Sequence, residues 1–197
     1  MPARCFLALT PDAETLAPLR AAQAAFVDGA PSWSGEKWVR SELQHVTVRF
    51  IGPVPDADCD ALLGDLTDAL AGSGPVRLWP AGVRAVPSPR RATMLWATME
   101  GDLDEAETIH SLVDDVLSRR LGLAPETRPF TPHLTLVRAR SPRPVPEAAL
   151  DAARATLAFA GKERVAFASV PSLTLFASTL GRAGPVYEIV GEVPLSR

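Results

Sequence analysis

Hydrophobic and polar positions along the chain switch period repeatedly, and the switches outline its elements. Arg4 to Leu9 is a short apolar run that reads as a first strand. Thr10-Pro11-Asp12 then reads as a helix start, with a capping hydroxyl and proline at the first helical position. Leu16, Leu19, Ala22 (or Gln23) and Phe26 recur at helical spacing as far as about Val27. Asp28 to Gly35 is a loop flanked by Trp33 and Trp38, which either pack under it or stack on a bound base. A strand from Leu43 to Ile51 closes at Gly52-Pro53. A helix follows from about Asp56 to Leu70, with Leu62, Leu66 and Leu70 on one face.

Two strands, Val76 to Val86 and Thr93 to Met99, are predicted to pair across the stiff, basic connector Pro87-Ser88-Pro89-Arg90-Arg91. Leu103 to Leu121 is helical, with Ala106, Ile109, Val113, Val116 and Leu117 as its stripe and Gly122 as its stop. Thr131 to Arg138 is the next strand, because Thr131 precedes a proline and is pushed out of the helical region. A loop over Ser141 to Pro146, a helix from Glu147 to about Phe159, and strands at Arg164 to Phe167, Ser172 to Ala177 and Val186 to Val193 complete the chain.

Two of these strands share a pattern. His45-Val46-Thr47-Val48 and His133-Leu134-Thr135-Leu136 lie 88 residues apart. In each, His and Thr point to one face and the aliphatic residues to the other. The chain has three histidines. With Thr at roughly one residue in fifteen, chance puts two of three in that setting at about the 1% level. Matching text follows both strands: Pro53-Val54-Pro55-Asp56-Ala57 and Pro144-Val145-Pro146-Glu147-Ala148, each opening a helix. This is the mark of an internal duplication. The expected fold is therefore α+β: residues 1–197 as a single domain of two similar lobes related by a pseudo-two-fold, with antiparallel sheets lining a central cleft and helices outside.

Composition narrows the class. A chain of 197 residues, 47% hydrophobic and 22% charged, is that of a globular protein with a sizeable core. The short apolar start does not make a signal peptide and no run reaches membrane-spanning length. Cys5 and Cys59 read as reduced thiols in a cytoplasmic protein; no membrane partner and a monomer are also expected. The net charge of −3 argues against coating long nucleic acid. Locally the balance reverses. No acidic residue lies between Asp68 and Glu100, where Arg77, Arg84, Arg90 and Arg91 sit, nor between Glu126 and Glu147, where Arg128, Arg138, Arg140 and Arg143 sit. A basic field around the histidine strands suits a small anionic ligand.

Two imidazoles across a cleft can serve as acid and base, since the ordinary histidine pKa of about 6.5 lets one be protonated and the other neutral near pH 7. Thr hydroxyls on the same face can donate to phosphoryl oxygens, and Arg138 can stabilise developing charge. In-line displacement at phosphorus needs acid and base on opposite sides. No metal or cofactor is expected: two candidate histidines without a carboxylate pattern make a poor zinc site, and no phosphate-binding lysine loop, dinucleotide fingerprint or serine elbow is present. His110, beside an apolar helical stripe, reads as structural or exposed.

These residues resemble the paired signature of the two-histidine phosphoesterase superfamily, and within it the RNA 2′,3′-cyclic phosphodiesterases, or RNA 2′–5′ ligase-like proteins. The resemblance spans nearly the whole chain. It takes in Arg4 to Leu9, Trp38 ahead of His45, Phe50 and Gly52, Pro87 to Arg91 with Leu95-Trp96, Phe130-Thr131-Pro132-His133, and the Ser178 to Gly184 turn before Tyr187. It implies metal-independent opening of a 2′,3′-cyclic phosphate at an RNA 3′ end, or on a small nucleotide, to a 2′-phosphate. His45 would be the proton donor, His133 the proton acceptor, Thr47, Thr135 and Arg138 the phosphate contacts, and Phe50 a base-stacking residue. Strict alternation puts Phe50 and Arg138 on the faces opposite their histidines unless the strand ends twist or bulge. The alternatives are an RNA-end or nucleotide binding module without turnover, and a related cyclic phosphodiesterase acting on another nucleotide.

Overall fold

The computed structural model describes residues 4–164, 169–181 and 184–196. Strands β1 (Arg4–Leu9), β2 (Lys37–Trp38), β3 (Val46–Pro53), β4 (Leu78–Val86), β5 (Ala92–Gly101), β6 (His133–Arg143), β7 (Ser172–Gly181) and β8 (Gly184–Pro194) alternate with helices. The helices are α1 (Ala13–Leu16), α2 (Pro18–Gly29), α3 (Asp56–Ala69), α4 (Leu103–Leu121) and α5 (Glu147–Arg164). The strands form one eight-stranded sheet in the order β4-β5-β6-β3-β1-β7-β8, with β2 on β6, and every pairing is antiparallel.

One face of this sheet holds the core. Leu7, Val46, Val48, Leu95, Leu134, Leu136 and Leu175 are buried there in one cluster with Phe26 of α2, Leu66 of α3, Ile109 of α4 and Leu150 of α5. Each such side chain contributes about 1.5–3 kcal/mol through burial. β1 runs between β3 and β7 and is buried on both faces, which is why its sequence shows an unbroken apolar run rather than alternation. The helices pack in pairs, α2 on α5 and α3 on α4. The two histidine strands, β3 and β6, are neighbours joined at the single pair Val46–Leu134.

Several expected boundaries shift for identifiable reasons. The first helix is two: Pro18 starts a new one, and the cap is Asp12, whose carboxylate accepts the Thr15 N–H at 2.7 Å, rather than the Thr10 hydroxyl. β6 continues to Arg143, through what reads as a loop, because Ala92 at the far end of β5 still pairs with it. α5 runs on to Arg164, and the strand expected over Arg164 to Phe167 otherwise lies outside the described residues. Val76 is not in β4 but makes an isolated bridge to Val170. Trp33 is fully buried against Phe26, so packing under the loop is its role. His110 is buried and stacks on Phe130 at 4.6 Å, a structural residue.

Gly101 closes the β4–β5 ladder at φ +126°, and a Cβ there would collide with the Arg77 carbonyl. Gly101→Ala is expected to destabilise the fold by about 2 kcal/mol or more, lowering Tm by roughly 4–8 °C in a thermal melt.

Candidate active site

The site lies on the sheet face opposite the core. Val46 and Leu134 are wholly buried on the core side, so their neighbours along each strand point the other way. Antiparallel continuation of the Val46–Leu134 pair sets His45 across from Thr135 and Thr47 across from His133. Each histidine thus faces the other strand's threonine. All four side chains are half-buried, and neither threonine hydroxyl bonds to another group among the described residues.

Both rings are held alike by unlike local sequences. Ahead of β3 a 3₁₀ turn, Ser41–Leu43, sets the Leu43 carbonyl 2.8 Å from His45 Nδ1. Ahead of β6 the Thr131-Pro132 step sets the Thr131 carbonyl 2.7 Å from His133 Nδ1. A carbonyl only accepts, so each Nδ1 carries a hydrogen and each Nε2 is left for chemistry. Burial pushes both imidazoles below the ordinary 6.5, against the backbone bond that favours their charged form. The Arg138 guanidinium lowers both further, and His133 lowers His45. The rings and Arg138 therefore share one electrostatic site.

Arg138 and Phe50 reach this face because the strands bulge. Leu95 pairs with Val137 and Trp96 with Thr135, leaving Leu136 as the extra residue; Leu136 and Val137 are both buried, and Arg138 comes back to the side of Thr135. In β3 the register steps from Thr47 to Arg49, so Phe50 lies with His45. It packs 6.0 Å from Phe6, which is 4.9 Å from the His45 ring. Phe50 is 66% exposed, as a surface for a flat ligand must be. The opposite placement that strict alternation gives is corrected by one bulge in each strand.

The basic field also needs correcting. Arg77 pairs with Asp102, Arg128 with Glu126, and Arg143 with Glu36, while Arg140 donates to the Gly35 carbonyl and its backbone N–H to Glu36. Acids at or beyond the boundaries of the acid-free stretches thus neutralise some of the arginines within them. Arg138 is exposed and donates to Met94 Sδ at 2.9 Å, with no carboxylate partner among the described residues.

The aromatic walls were not legible as such. Phe6, Phe176 and Tyr187 surround His45 at 4.9, 6.2 and 5.4 Å. Trp96 stacks on His133 at 3.7 Å, and its indole N–H is buried without a partner among the described residues. Their signal is cross-strand adjacency, Phe6 to Phe176 and Trp96 to Thr135, which needs the register. Among the described residues no group of three or more His, Cys, Asp or Glu is placed to hold a metal, and no helix is long and apolar enough to cross a membrane.

The sequence profile of the 2′-5′ RNA ligase superfamily matches residues 18–167. The chain belongs to that superfamily. An RNA 2′,3′-cyclic phosphodiesterase of Aeropyrum pernix is 32% identical over 157 residues, covering 80% of this chain and 85% of that protein. One of Aquifex aeolicus is 28% identical over 160 residues, covering 79% and 80%. A crystal structure of a Thermus thermophilus protein superposes with a TM-score of 0.71 at 24% identity, over 98% of this chain and 97% of that one. This superfamily member therefore shares its fold with a known structure along nearly its whole length.

Both imidazoles have lowered pKa values when folded, so their neutral forms contribute stability that is complete above about pH 6.5 and is lost as pH falls through the folded values. Thermal melts of the wild type should decline between pH 7 and 5, and a His45→Gln/His133→Gln variant should decline less.

Proposed function

We propose that this protein is an RNA 2′,3′-cyclic phosphodiesterase that works without a metal, using His45 and His133 as acid and base. The observation that carries the reading is the equivalent fixing of the two rings: each Nδ1–H is tied to the carbonyl two residues upstream, and each Nε2 is left free on one face beside Arg138. The names of the curated relatives support the substrate class.

In this reaction the cyclic phosphate sits between the two Nε2 atoms. His133 takes a proton from water as the water oxygen bonds to phosphorus. The P–O3′ bond breaks on the opposite side and His45 gives its Nε2 proton to the departing 3′ oxygen, leaving a 2′-phosphate and a 3′ hydroxyl. Thr47 and Thr135 donate to the non-bridging oxygens. Arg138, without a competing carboxylate among the described residues, carries their growing charge. His45 needs a proton that burial and Arg138 discourage, and the bound anion supplies the compensating charge. Phe50, exposed and backed by the buried Phe6 ring, offers the terminal base a stacking face. We infer also that the site is the seam of a duplicated unit. The matching Pro-Val-Pro turns bury Val54 and Val145 alike, and α2 packs on α5 as α3 packs on α4.

His45→Ala and His133→Ala should each lower kcat on a nucleoside 2′,3′-cyclic phosphate by about 10²- to 10⁴-fold with the fold intact. Near-normal turnover in either would refute the assignment, and activity removed by EDTA and restored by zinc would refute the metal-free route. The pH dependence follows in sign from the lowered imidazoles. The optimum of kcat/KM, which reports the free enzyme, should lie on the acid side of 6.5, and that of kcat, with the anion bound, at higher pH. A binding module without turnover would show ligand binding and no product at high protein concentration.

A further inference from the structure

The two histidines are tied alike through Nδ1 but packed unalike across their ring faces. His133 lies 3.7 Å from the Trp96 ring with 21° between the planes, a flat stack. His45 has no such partner among the described residues: Phe6 is tilted to it by 32° at 4.9 Å, Phe176 by 36° at 6.2 Å, and Tyr187 meets it edge-on at 5.4 Å. Strand register puts the indole where it is. Leu95 and Ala97 are wholly buried on the core face, so Trp96 between them points to the site. Trp96 pairs with Thr135 and Thr98 with His133, which makes Trp96 and His133 diagonal neighbours, a spacing that large aromatic side chains bridge.

The indole N–H is buried there without a partner among the described residues. A phenyl or aliphatic side chain would cover the imidazole without leaving a donor unsatisfied, so packing by itself does not account for an indole. What the indole has over them is the aromatic face that attracts a cation most strongly. The charged and titratable groups around His133 are Arg138 on its own strand, His45 on the facing segment with Tyr187 beyond it, Arg84 on β4 opposite Trp96, and Glu100 on β5 two residues past Thr98. Of these, Arg138 acts on the His133 ring, and it acts against protonation, as burial does.

Resting on the phosphodiesterase reading, we infer that Trp96 is a positioning residue for His133: its π face keeps the imidazole flat and stabilises the imidazolium that exists once the water proton has moved to Nε2. The neutral imidazole of the resting site gains little from that face and the cation gains much more. The contact therefore strengthens as the proton transfers and lowers the barrier rather than tightening substrate binding. It offsets part of what burial and Arg138 oppose. No bond to the indole forms or breaks; Trp96 acts through His133 alone.

The test replaces the four tryptophans biosynthetically with mono-, di- and trifluorotryptophan, which withdraws charge from the ring face with little change of shape. Each added fluorine should lower the His133 pKa in a histidine NMR titration and lower kcat on a nucleoside 2′,3′-cyclic phosphate with it, by roughly tenfold across the series. KM and the His45 pKa should stay nearly constant. Trp96→Phe made in the same fluorinated media should not respond, which assigns the effect to position 96. In ordinary medium Trp96→Phe and Trp96→Leu both open a gap beside the imidazole and only the first keeps a ring face; the Phe variant should exceed the Leu variant about fivefold or more in kcat and show the higher His133 pKa. If neither substituted chain folds, the fluorine series decides. A His133 pKa and kcat indifferent to fluorine, or Phe and Leu variants that match in both, reduce the indole to packing and overturn the inference while the activity stands. A wild type that does not turn over the cyclic nucleotide overturns the activity itself, and this role with it.

Discussion

Two short hydrogen bonds, from His45 Nδ1–H to the Leu43 carbonyl and from His133 Nδ1–H to the Thr131 carbonyl, are the constraint on which the rest depends. Each fixes a ring's orientation and tautomer by holding Nδ1–H and leaving Nε2 without a partner among the described residues. Everything around them serves to hold the strands that carry them. The wholly buried Val46 and Leu134 pin β3 to β6 at one pair, and the core beneath keeps the four His and Thr side chains on the other face. A one-residue slip of either strand would send its histidine into the core.

Electrostatics then gives the arrangement its character. Half-buried imidazoles beside Arg138 resist protonation, so the site by itself is short of protons and rich in donors. An anion reverses this, since its charge favours protonated rings and the threonine hydroxyls and guanidinium have no better acceptor. Other arginines of the acid-free stretches are paired with acids at or beyond the stretch boundaries. Glu36 takes Arg143 and Glu126 takes Arg128, which neutralises two of the charges that the local sequence concentrates, while Arg138, beside the rings, has no carboxylate partner among the described residues.

Much of this was legible in the chain. The repeated His-x-Thr strands, the Leu103–Leu121 helix with its Gly122 stop, and the β4–β5 hairpin are local patterns, and local patterns survive folding. The rest depended on contacts between segments. Nothing in His133 to Arg138 announces that Leu136 bulges; only its partner β5, pairing Leu95 with Val137 and Trp96 with Thr135, imposes it. The cap at Asp12 was hidden because Thr10-Pro11 offers an equally good local start. The aromatic wall of His45 comes from three strands, β1, β7 and β8, whose order along the sheet is not written in any one of them.

The most direct test of the central claim is a histidine ¹⁵N NMR titration of the protein with and without inorganic phosphate. Free protein should show His45 and His133 as Nδ1–H tautomers titrating below 6.5, and phosphate should raise both pKa values together. If either ring carries its hydrogen on Nε2, or if phosphate moves one ring and leaves the other unchanged, the two imidazoles do not face a common anion.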